Sequence, residues 1–177
     1  TLKEGAVEIG EFMRGIPVDI FLTRQGDHWS PSEHTRHITK SVRALEEGLK
    51  YPKFVLRVLF GSNRQPSRTF DEMVKIYQQV LAAGGKANKK YTPSSNPTDL
   101  LPEQWKDITL KRWDASMAEL EIGVALWEES ELDRYRLPHP LMGKISLREM
   151  LFFTVYHNLH HARLVSTRLS HIDSSNT

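Results

Sequence analysis

Tyr156-His157-Asn158-Leu159-His160-His161-Ala162-Arg163 lies inside an apolar run, Leu147 through Leu169, whose reading decides the fold. The run reads as one long helix, opened by a capping box in which Ser146 and Glu149 satisfy each other's backbone N–H groups. Its inward stripe carries Leu147, Met150, Leu151, Thr154, Val165 and Leu169. Residues four apart on a helix lie about 40° apart around the axis and about 6 Å apart along it. His157 and His161 can therefore both reach one metal ion. His161 falls near the centre of the stripe, His157 at its edge, and His160 points well away. Spacing alone leaves the pair open, as ligands or as hydrogen-bonded core histidines, because an unpaired buried imidazole is costly.

Working outward, the strongest helix start is Trp29-Ser30-Pro31-Ser32-Glu33-His34-Thr35-Arg36-His37-Ile38. Ser30 is a good N-cap, Pro31 suits the first helical position and Glu33 completes a capping box. The helix runs on through Val42, Leu45 and Leu49 until Pro52 kinks or ends it. His34 and His37 both fall on its inner half. His37 heads a strip of small residues, Ser41, Ala44 and Gly48, which implies either close helix contact or an open cavity.

Leu2 to Thr23 is expected to form one helix, bent near Gly15 and Pro17. Phe54 to Phe60 is apolar and helical, and Thr69 to Leu81 is a short helix capped by Thr69 and Glu72 and stopped at Gly84-Gly85. Lys86 to Pro102 reads as an irregular surface connection. Glu103 to Glu129 has the pattern of another long helix. Leu137 to Lys144 is a proline-punctuated turn, and His171 to Thr177 a frayed polar tail. With no convincing strand, the expectation is an all-α four-helix bundle with a short extra helix and long connections, a single domain over residues 1–177.

Composition narrows the function. Hydrophobic residues make up 39%, charged residues 26%, and the formal net charge is +2 with basic and acidic residues interleaved. That argues against nucleic acid as partner. No apolar run approaches the ~20 residues of a membrane span, and no signal-peptide pattern opens the chain. The expected address is the cytoplasm. The absence of cysteine excludes disulfides, thiolate metal sites and a cysteine nucleophile.

Three blocks in this order, Trp29-Ser30-Pro31 through His37-Ile38, His139-Pro140-Leu141-Met142-Gly143, and His157-x-x-x-His161, resemble the DinB/YfiT-like superfamily over nearly the whole chain. The resemblance implies a four-helix bundle holding one divalent metal on three histidines, here at His37, His157 and His161. It does not carry over to His34. It also implies a homodimer, and relatives that include metal-using, thiol-dependent transferases and isomerases. Neutral imidazoles suit zinc, nickel or iron, and three of them leave coordination positions open. Such a site would activate water or a low-molecular-weight thiol against a small-molecule substrate, for transfer, isomerisation or hydrolysis. The alternative is a non-catalytic bundle in which the metal is structural or supports an interaction.

The remaining candidates read more plainly. His34 is a core or cavity-edge residue, with a hydrogen bond to one of the ligands as the alternative; Glu33 is a cap, and His139 fixes its turn. Tyr156 and Asn158 flank a ligand and are candidates to line the pocket, although they lie about 100° from it around the helix. The four tryptophans read as core and interface aromatics, and no carboxylate is placed to serve as general base.

Overall fold

The computed structural model describes residues 2–86, 89–97 and 99–175, with side chains through residue 171. Its helices are α1 (Leu2–Gly15), α2 (Val18–Leu22), α3 (Pro31–Leu49), α4 (Lys53–Phe60), α5 (Phe70–Ala82), α6 (Pro102–Ala125), α7 (Glu129–Arg134) and α8 (Leu147–Ser175). The longest four form the bundle. α6 and α8 each pack against both α1 and α3, closing a ring in the order α1–α6–α3–α8, and α5 lies along α8. α3 and α8 are thus neighbours, which sets the histidines of one against those of the other.

All three capping boxes form. Ser30 Oγ accepts from the Glu33 N–H while Glu33 accepts from the Ser30 N–H, and Thr69 and Glu72 do the same for α5. At α8, Ser146 Oγ accepts from the Glu149 N–H at 3.1 Å and Glu149 Oε2 from the Ser146 N–H at 2.9 Å. Glu149 also takes hydrogen bonds from the Arg68 backbone and guanidinium. Burial pulls its pKa up, but the bonds from Arg68 and Ser146 win and hold the carboxyl below its usual range. Glu33 is held down in the same way, by Arg24 and Ser30 against burial.

The core fills the ring with Met13, Phe21, Ile38, Val42, Leu56, Met73, Trp113, Leu120, Ile145 and Leu147, all nearly inaccessible. On α8 the expected stripe is buried at Leu147, Met150, Thr154 and Val165, while Leu151 and Leu169 are half-buried. Phe153 joins it because Tyr77 of α5 packs edge-on against that side, ring centroids 5.0 Å apart.

Several boundaries differ from the sequence reading. The first segment is two helices rather than one bent helix, since Pro17 has no N–H to continue the ladder. Pro52 ends α3 outright and opens α4. The long pattern from Glu103 breaks at Leu126, and Glu131 reaches back to the Glu128 N–H to start the separate α7. The backbone of α8 stays helical to Ser175, past the expected frayed start at His171, while residues 176 and 177 lie outside the described residues.

The expectation of no strands is corrected. β1 (Arg136–His139) and β2 (Gly143–Ser146) form an antiparallel hairpin in which Arg136 faces Ser146 and His139 faces Gly143. Four-residue strands interrupted by Pro138 carry too little alternation to be read from sequence. The turn is fixed chemically instead. His139 Nδ1 accepts from the Leu141 and Met142 N–H groups, at 3.1 and 3.2 Å, and Gly143 takes a φ of 71° that other residues avoid. Leu137 of this hairpin meets Gly48 so closely that a Cβ there would sit 2.5 Å from Leu137 Cδ1. The small-residue strip of α3 therefore provides close contact at its lower end.

Replacing Glu149 by alanine strands the Arg68 guanidinium and two backbone donors at one point. The expected loss is about 3 kcal/mol of unfolding free energy, read from urea denaturation, and a loss below about 1 kcal/mol would contradict this account of the α8 start.

Candidate metal centre

His37 from the second turn of α3 and His157 and His161 from the middle of α8 come together, all buried. Their ligand nitrogens lie within 4.8 Å of one another. His157 Nε2 is 3.1 Å from both His37 Nε2 and His161 Nε2. Nitrogens bound at about 2.0–2.1 Å to a tetrahedral ion are about 3.3 Å apart, so the observed spacing is within a few tenths of an ångström of a coordination edge.

The proton bookkeeping points the same way. His37 Nδ1 lies 2.9 Å from the Tyr91 carbonyl, which can only accept, so Nδ1 carries the proton and the Nε2 lone pair faces the cluster. A proton on His157 Nε2 cannot serve two acceptor nitrogens well, whereas a cation between the rings engages all three lone pairs. His157 Nδ1 is buried without a hydrogen-bond partner among the described residues. Such an orphan costs about 1–3 kcal/mol, which an ion on Nε2 would offset. His161 Nδ1 sits 2.7 Å from His34 Nδ1. The donor set fits a divalent ion.

Burial lowers the pKa of every ring involved. It is the first cause for His37, His157 and His161, the last two pushed well below the usual value, with neighbouring imidazoles adding to it. His34 falls to about 3, through burial and then the Arg168 guanidinium, and His139 to about 4 through burial alone. All are neutral near pH 7, the state in which imidazole binds metal.

Beside the triad opens a cavity of about 730 Å³ lined on one side by His37, His157 and His161. Its walls are largely apolar, from Leu45, Leu81, Leu137, Leu141, Met150 and Phe153, with Tyr77 also among the lining residues. Burial raises the Tyr77 pKa to about 12, so its proton stays in place. Lys40, Arg43, Lys90 and Glu47 stand at the exposed edge, where Lys40 donates to the Thr92 carbonyl. Ser41 and Ala44 of the small-residue strip line this space, so above Gly48 the strip makes room for the cavity.

A family model described as the DinB superfamily matches residues 8–165. The chain belongs to the DinB superfamily. No curated protein matches it. The mostly helical bundle accords with that membership, and a buried triad at His37, His157 and His161 gives this DinB member a set of side chains able to hold a metal ion.

Other residues fall where the sequence did not put them. Trp29 is no core aromatic: it stacks on His161 with centroids 6.3 Å apart and planes 14° apart, and it lines the cavity. His160, expected to point away, is half-buried at the cavity wall because the space extends beyond the apolar stripe. The connection after Lys86 is not only surface, since its short 3₁₀ turn Lys89–Tyr91 delivers the carbonyl that orients His37. Tyr156 accepts from Gln78 Nε2 and Asn158 faces Met117, and neither lines the cavity.

Two outcomes are expected in solution. Elemental analysis should find one divalent ion per chain in the wild type and none above background in His157→Ala; equal stoichiometry would remove the site. For the metal-free protein, the unfolded chain gains protons below pH about 6.5 that native His34 and His139 refuse until about 3 and about 4. Folding stability is therefore full above that pH and falls as pH drops, by up to about 1.4 kcal/mol per pH unit for each such histidine. A thermal midpoint that stays flat from pH 7 to pH 4.5 would refute this.

Proposed function

We propose that the protein is a metal-dependent enzyme acting on a small molecule, with His37, His157 and His161 as the ligands. The observation that carries the reading is the cavity of about 730 Å³ walled in part by those three rings. A structural site closes its shell with a fourth protein ligand, and among the described residues the cluster holds three. A divalent ion there would lower the pKa of water or of a small-molecule thiol bound to it. A thiol brought by a cofactor suits a chain without cysteine.

The chain's own residues supply the rest. The apolar wall receives the body of an electrophilic substrate and excludes water from it. Tyr77, whose hydroxyl keeps its proton, is available to donate a hydrogen bond to an oxygen gaining negative charge. Three cationic side chains against one carboxylate at the edge favour a substrate or thiol bearing a carboxylate. Transfer, isomerisation and hydrolysis all use this arrangement, and zinc, nickel and iron all suit the ligands.

The test is to load the protein with zinc and screen low-molecular-weight thiols, and water alone, against small electrophiles. Turnover should fall at least about 100-fold in His157→Ala. In Arg43→Met, KM should rise for carboxylate-bearing substrates and stay unchanged for uncharged analogues. A loaded protein that turns over nothing, with its metal released only on unfolding, would favour the structural alternative.

A further inference from the structure

His34 stands outside the triad, yet its ring is the nearest polar neighbour of one member. We propose that His34 is a positioning residue for the metal site: its Nδ1 accepts the Nδ1 proton of His161 and thereby turns the His161 Nε2 lone pair toward the ion. The inference rests on the metal reading above and deepens it.

The geometry leaves two arrangements. The two Nδ1 atoms are 2.7 Å apart, so one proton lies between them. Were it carried by His34, a neutral His161 would hold its own proton on Nε2. That proton would point at His157 Nε2, 3.1 Å away, and occupy the place a cation needs. Only the opposite arrangement, with the proton on His161 Nδ1, leaves Nε2 free to bind. His34 must then hold its own proton on Nε2, which is buried without a partner among the described residues.

Among the described residues, His34 is the one hydrogen-bond partner of His161 Nδ1. The closest carboxylate in sequence to His34, Glu33, is turned away into the Arg24 guanidinium and the Ser30 N–H. Metal-binding histidines are commonly held by a carboxylate, a carbonyl or water. Here His37 uses a carbonyl, His161 a neutral imidazole, and His157 Nδ1 has no partner among the described residues. Among the described residues no carboxylate hydrogen-bonds any of the three rings, so their donor strength stays low and a bound cation keeps more of its charge. The backing imidazole also ties α3 to α8 at a second point, one turn before His37. Trp29 packs against both rings, edge-on to His34 at 5.6 Å and stacked on His161 at 6.3 Å between centroids, which restricts their rotation.

The experiment compares zinc affinity, by chelator competition, in wild type, His34→Asn and His34→Leu. Asparagine places Oδ1 where His34 has Nδ1 and keeps an acceptor; leucine keeps the volume and removes it. The leucine variant should bind zinc about 10–100-fold more weakly, while asparagine stays within about fivefold of wild type. Leucine within about threefold of wild type, or asparagine as weak as leucine, would overturn the role. A wild-type chain that takes up no zinc would overturn the metal reading itself, and the two failures are thus distinguishable. Nitrogen-resolved NMR of zinc-loaded wild type needs no variant to fold: His34 should carry its proton on Nε2 and His161 on Nδ1, and a proton on His34 Nδ1 would refute the proposal.

Discussion

The structure depends on keeping imidazoles uncharged where two helices meet. His37, His157 and His161 leave water together at the α3–α8 seam, and three like charges so close and so dry would force the helices apart. Burial therefore acts on chemistry and on folding at once. It holds each ring in its metal-binding form, and it makes that seam sensitive to acid. The surrounding hydrogen bonds then decide which nitrogen of each ring faces inward. A carbonyl from a loop sets His37, and the histidine one turn earlier on α3 sits against His161.

What surrounds the seam explains how the bundle stays stable around buried and partly unpaired imidazoles. α3 and α8, the helices that carry the rings, begin with reciprocal caps whose carboxylates are also clamped by arginine, Glu33 by Arg24 and Glu149 by Arg68. These fix the register of each helix from its first turn. Large side chains such as Trp113 and Leu120 hold the distance between helices from the far side. The costs concentrated at the rings are thus carried by ordinary packing elsewhere, a common arrangement around functional sites.

Much of this was legible in the sequence because it rests on local rules. Capping boxes span four residues, and a histidine pair one turn apart shares a helix face whatever the tertiary fold. The convergence of His37 with that pair came from the family likeness, since no local rule links residues 120 positions apart. What escaped reading depended on geometry across the chain. The role of Trp29 follows from its position over His161, and that of Tyr91 from a main-chain oxygen that any residue would supply. The hairpin escaped because its strands are short and its turn is held by a side chain, His139, rather than by a recognisable turn sequence.

That hairpin separates two duties. Leu137 to Leu141 form one wall of the cavity but contribute no ring to the triad, and they hang between α7 and α8 rather than within either. A substitution in Pro138, Pro140 or Leu141 would therefore reshape the cavity wall without touching the three rings. The shape of the cavity on that side is thus set by a segment distinct from the helices that carry the rings, although Leu137 and Ile145 also anchor it in the core.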